Sequence, residues 1–191
     1  MLDLVEIVTS LEANEDTHLA RILVLLLAFR EPDRTAIEGI TKLAKLDFLL
    51  RYPASLKKAL AARGVSERNI PVDDFEAMTI EARMVRYRYG PWDHRYRQFL
   101  NVLVAKGLVA VELEGQTIKI DLTDPGAALA AALIEGKGFS RVFERAKLLK
   151  KHLDLKARKL MEFIYEIFPE LTSLEYNEGI EFRDEQHANQ S

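Results

Sequence analysis

No cysteine occurs in the 191 residues, which excludes disulfides, thiolate zinc sites and a cysteine nucleophile, and fits an intracellular, cytoplasmic compartment. Neither sign of charge dominates. With 27 Lys+Arg against 30 Asp+Glu the net charge is -3, so bulk attraction to a polyanion is excluded and any nucleic-acid contact must come from a local patch. Long apolar runs are missing too: the longest, Ile22–Phe29, is well short of the roughly 20 residues a bilayer-spanning helix needs. Residues Met1–Ser10 carry Asp3 and Glu6 but no basic segment, so no secretory leader and no membrane association are expected. What remains, 48% hydrophobic and 30% charged with nine glycines and six prolines, suits one globular domain with appended helices or two small domains.

Catalytic constellations are equally scarce. His18, His94, His152 and His187 lie far apart, and none forms a metal-binding pair with another histidine. There is no phosphate-binding glycine loop, no dinucleotide fingerprint and no serine nucleophile elbow. Asp73–Asp74 and Asp121/Asp124 sit at turns, where Asp bonds to nearby backbone rather than sharing a cleft as an acid and a base. A protein that is not an enzyme, with no metal and no cofactor, is therefore expected.

Periodicity supplies the architecture. Leu19, Ile22, Leu23, Leu26 and Leu27 predict a buried helix that ends before Pro32. Ile37, Ile40, Leu43, Ala44, Leu46 and Phe48–Leu50 predict a second, stopped at Tyr52 by Pro53, which suits the first turn of a third, Ala54–Ala62. Residues Val65–Thr79 read as a connection, and Met84–Tyr89 as a short β-prone strand. Tyr96, Phe99, Leu100, Leu103 and Val104 give one apolar face to a helix from Asp93 to Lys106. Leu108–Leu113 and Thr117–Leu122 flank Glu114-Gly115-Gln116 as a hairpin, and an alanine-rich helix, Gly126–Ile134, follows.

This order predicts a mainly α fold with a small β-wing: a winged helix-turn-helix over residues 1–135, with an N-terminal helix and an insertion. A C-terminal helical extension over 136–182 carries Phe139, Val142, Phe143, Ala146, Leu149 and Leu153, then Leu160, Met161, Ile164 and Phe168 after a break at Asp154. A frayed tail, 183–191, is expected to finish the chain.

Two stretches are candidates for contact with DNA or a partner protein. Glu81–Arg97 packs five arginines and four aromatics around a Gly90–Pro91 turn, and guanidinium beside aromatic rings serves both phosphate and interface recognition. Its candidates are Arg83, Arg86, Arg88, Trp92, Arg95 and Arg97, joined by Gln98 and Asn101 on the outer face of the following helix. The tyrosines and Trp92 equally suit core packing, and the polar face equally suits simple solvation. The second stretch, 137–159, sets nine cations against two carboxylates, a local balance of +7, and adds Arg141, Arg145, Lys150 and Lys151. The helical region Gly136–Phe168 that carries it is expected to be a partner-docking element, whose deletion from Gly138 onward leaves the winged-helix core folded.

The run Ile40–Pro53, followed some thirty residues later by Glu81–Asp93, resembles the middle component of bacterial ABC-three-component defence systems, the group that includes Lamassu-type antiphage operons. The resemblance covers about Leu19–Ile134. It implies a non-catalytic winged-helix adaptor between an SMC-like ABC ATPase and a separate effector, in some systems a nuclease, in a complex that senses foreign DNA. It implies no functional positions, and it leaves open both direct DNA contact and homo-oligomerisation. A free-standing winged-helix transcription regulator stays as the alternative, with the net charge of -3 weighing against it.

Overall fold

The computed structural model describes residues 15–72, 84–87, 90–91, 95–169 and 179–180. Within them the chain is mainly helical, with small antiparallel sheets. Helix α1, Glu15–Phe29, is apolar nearly all round, and Ile22 to Leu26 are all buried. Such a helix can only be a central strut. Its neighbours are helices α2 (Ile40–Arg51), α4 (Tyr96–Ala105), α5 (Asp124–Glu135) and α6 (Lys137–Leu153), and the strand β5 (Thr117–Leu122).

One expectation fails between the first two helices. Ile37, assigned to the second helix, lies instead in a strand β1, Ile37–Glu38, which pairs antiparallel with β5 through Ile37↔Ile120 and Glu38↔Lys119. The cause is Gly39, whose φ of 89° is a left-handed conformation that only glycine adopts at low cost. Its N–H extends the pairing to the Ile118 carbonyl at 2.7 Å, and α2 starts just beyond. At the other end of α2, Tyr52 is extended as the residue before proline must be, and Pro53 opens α3, Pro53–Ala62.

After a 3-10 turn at Glu67–Asn69, strands β2 (Met84–Tyr87) and β3 (Gly90–Pro91) form a small sheet of order β3-β2-β6 with β6 (Gly179–Ile180). β6 falls in the region expected to be helical, and it pairs with β2 through Met84↔Ile180 and Val85↔Gly179. Helix α4 buries Tyr96, Phe99, Leu100 and Leu103. The hairpin β4 (Val109–Glu114) and β5 turns at Gly115–Gln116, and with β1 makes a sheet of order β1-β5-β4. Thr123 caps α5 by accepting from the Gly126 amide at 3.1 Å, while its hydroxyl donates to the Gly107 carbonyl. Asp93, expected to cap α4, lies outside the described residues, as does the tail from Arg183.

Helices α6 and α7 (Ala157–Ile167) share this core. One continuous apolar cluster runs from Leu19 and Ile22 through Leu46, Phe99 and Ile120 to Leu149, Leu153, Leu160, Ile164 and Phe168. α6 lies chiefly on α1 and α5, and α7 on α2 and α3. Residues 136–169 are therefore no loose appendage: α6 covers the central strut, and α7 covers α2 and α3.

Candidate interaction surface

Two carboxylates, Asp47 buried and Asp154 half-buried, fix the frame that presents the surface. Asp47 on α2 accepts from two Arg21 nitrogens, Nε at 2.6 Å and a terminal nitrogen at 2.9 Å, and from the Tyr96 hydroxyl at 2.5 Å. The Arg21 guanidinium also donates to Nδ1 of His18 at 2.8 Å, which leaves that imidazole its proton on Nε2. The His18 ring stacks on Phe99, 5.2 Å between centroids. Burial alone would raise the Asp47 carboxyl, but the adjacent Arg21 and then Tyr96 hold it below the ordinary range. Burial and the carboxylate together push the Tyr96 phenol well up. This knot joins α1, α2 and α4, and its three hydrogen bonds favour the ionised form of Asp47.

Asp154, at the break between α6 and α7, accepts from Lys150 at 2.7 Å, Lys42 at 2.7 Å and Arg34 at 2.8 Å. Burial opposes its charge, yet Lys150 and Lys42 keep its carboxyl low. Both amines also sit over the Phe29 ring, at 5.4 and 5.9 Å.

The sequence candidates divide accordingly. Arg97, Gln98 and Asn101 are exposed along α4. Arg95 precedes the helix, half-buried, with its guanidinium over Phe99 at 5.5 Å. Arg141 and Lys151 are exposed on α6. Arg145 does not belong with them: it is 3% exposed, and two of its nitrogens bond to the Pro71 carbonyl at 2.9 and 2.8 Å. Lys150 is likewise engaged internally, with Asp154 and with Glu31 at 2.9 Å. Both basic groups close the fold, because each turns to the inner side of α6 and is paired there. Arg86 lies in β2 opposite Pro91, while Arg83, Arg88 and Trp92 are outside the described residues.

Sequence reasoning missed the tip of the β4–β5 hairpin. Val111 is 41% and Leu113 73% exposed, and between and beside them Glu112 and Glu114 are exposed on the opposite face. Lys119 stands across from Glu112 but bridges Glu114, which with its other carboxylate neighbours raises the amine's pKa. The alternation Val-Glu-Leu-Glu could have flagged the tip, since apolar residues at the end of a hairpin outrun the core that covers its base.

An open cleft of about 820 Å³ lies between the end of α1 and β5, lined by Arg30, Glu31, Asp33, Arg34 and Asp121 among others. Arg30 bonds to Asp124 and Arg34 to Asp154, and Asp121 accepts the Ala36 and Leu122 amides, so these groups serve the cleft's walls rather than converging on a ligand. Among the described residues no three His, Asp or Glu are grouped to hold a metal, and no helix is long and apolar enough to cross a membrane. No family model, curated protein or solved structure matches the chain.

Proposed function

We propose that the chain is a non-catalytic winged-helix adaptor of a bacterial antiphage defence complex, linking an SMC-like ABC ATPase to an effector in the cytoplasm. The winged-helix reading draws on element order: α1, β1, α2, α3, then α4 and the β4–β5 hairpin, with β1 closing the sheet beside β5. The observation that carries the adaptor reading is the chemistry of that wing. DNA-facing wings and loops approach phosphates with Lys and Arg, whereas this one ends in Leu113 and Val111 flanked by Glu112 and Glu114. Carboxylates there repel phosphate, and exposed apolar side chains favour a protein surface.

A free-standing DNA-binding regulator is the second reading, favoured by Arg97, Gln98 and Asn101 on the outer face of α4. The deciding experiment transfers the operon to a sensitive host and measures phage plaquing with and without this gene. The adaptor reading expects protection to vanish without the gene and to return on complementation. Undiminished protection in its absence refutes it.

A further inference from the structure

Among the described residues no strand pairs with the outer edge of the hairpin, and the backbone groups along it have a defined pattern. β4 lies at the outside of the order β1-β5-β4. The two-residue turn closes on Glu114↔Thr117, and at the base the Thr123 amide bonds to the Leu108 carbonyl at 3.1 Å. In an antiparallel ladder bonded and non-bonded pairs alternate, so Leu108, Ala110, Glu112 and Glu114 direct their backbone groups towards β5. Val109, Val111 and Leu113 direct theirs outward, the last two on an exposed stretch of strand.

The two faces at this edge differ in chemistry. One presents Val111 and Leu113. On the other Glu38, Lys119 and Glu112 lie in register across the three strands, and Glu114 bridges Lys119, so three carboxylates surround one amine. A strand laid beside β4 would set one residue against Glu112 and another against Glu114 on the acidic face, and alternate residues against Val111 and Leu113 on the other. A second copy of β4 suits this badly, because antiparallel self-pairing through Val111 and Leu113 places Glu112 opposite or diagonal to its own counterpart.

We propose that the β4 edge accepts an extended segment of a partner protein in which basic and apolar residues alternate, by strand addition to the wing. Main-chain bonds to Val111 and Leu113 supply the attachment, and Glu112 and Glu114 select the sequence. This deepens the adaptor reading and rests on it only for there being a partner protein; the edge itself can be tested alone.

The test titrates the full-length protein with a synthetic peptide alternating lysine and valine, using as controls an alternating glutamate–valine peptide and the lysine–valine composition in block order. Amide hydrogen exchange by NMR reads the site. The proposal expects new protection at the Val111 and Leu113 amides and little change at Ala110 and Glu112, which already bond to β5. Joint Glu112→Lys and Glu114→Lys replacement, which sets like charges around Lys119 and is therefore compared only where an unfolding curve shows the protein still folded, should weaken lysine–valine binding by about tenfold or more and admit the glutamate–valine peptide. No binding up to about 1 mM, equal affinity for the two alternating peptides, or protection without the alternation overturns the proposal. If the reversed-charge protein still assembles with its partners in cells, the wing proposal falls and the adaptor reading stands. Peptide binding as described, with no partner needed for phage protection, does the reverse.

Discussion

Asp47 and Lys45 lie two residues apart on α2, are equally buried, and meet opposite fates. Asp47 is bracketed by Arg21 and Tyr96, so Asp47→Asn should cost about 3–5 kcal/mol by leaving a guanidinium buried beside a neutral amide. Tyr96→Phe should cost about 1–2 kcal/mol, since it removes one hydrogen bond to a charged group. Urea unfolding of the two variants checks the ranking. Lys45 is 1% exposed, its Nζ has no hydrogen-bond partner among the described residues, and burial lowers its pKa from 10.5 to about 8. With the folded pKa below the unfolded one, the unfolded chain binds the extra proton between about pH 8 and 10.5, so stability rises with pH across that window. Lys45→Met should therefore stabilise the protein by about 2–3 kcal/mol at pH 7. That advantage should shrink as pH rises towards 10, which thermal unfolding at several pH values measures. None of this is visible in the sequence: Lys45 and Asp47 fall in a helical pattern as ordinary interruptions, and only the third dimension gives one a partner and withholds it from the other.

Helices and hairpin are legible wherever periodicity and punctuation agree, as for α1, for the Pro53 start of α3, for the buried face of α4 and for the turn at Gly115–Gln116. β1 is not, because a two-residue strand has no period of its own and exists only through pairing with β5, eighty residues away in the chain. The seat of α5 depends on a similar long-range fit. A Cβ placed on Gly126 would lie 1.8 Å from the Leu108 carbonyl oxygen, whereas one on Gly138, in α6, meets nothing within 4 Å. Gly126→Ala should thus destabilise by about 1–3 kcal/mol through forced separation of α5 from the hairpin base. Gly138→Ala should gain up to about 1 kcal/mol from helix propensity. Denaturant midpoints of the pair, measured side by side, separate close packing from propensity.

At the scale of the whole molecule, the +7 stretch is only partly a surface. Arg145 and Lys150 turn inward, and Leu149, Leu153, Leu160 and Ile164 complete the core around α1, so a chain ending at Gly136 should lose its cooperative unfolding transition in calorimetry. Charge counting read the number of cations there but not which way they point. Of the candidate residues, Arg97, Gln98 and Asn101 face outward on α4 and Arg141 and Lys151 on α6, and Lys147, Lys156, Arg158 and Lys159 of the same stretch are exposed as well. The most direct measurement is affinity purification of the tagged chain from cells expressing its own operon, with mass spectrometry of what is retained after nuclease treatment. An adaptor predicts an SMC-like ATPase recovered in near-stoichiometric amount independent of DNA; recovery of the chain alone, or only with a specific DNA sequence, contradicts it.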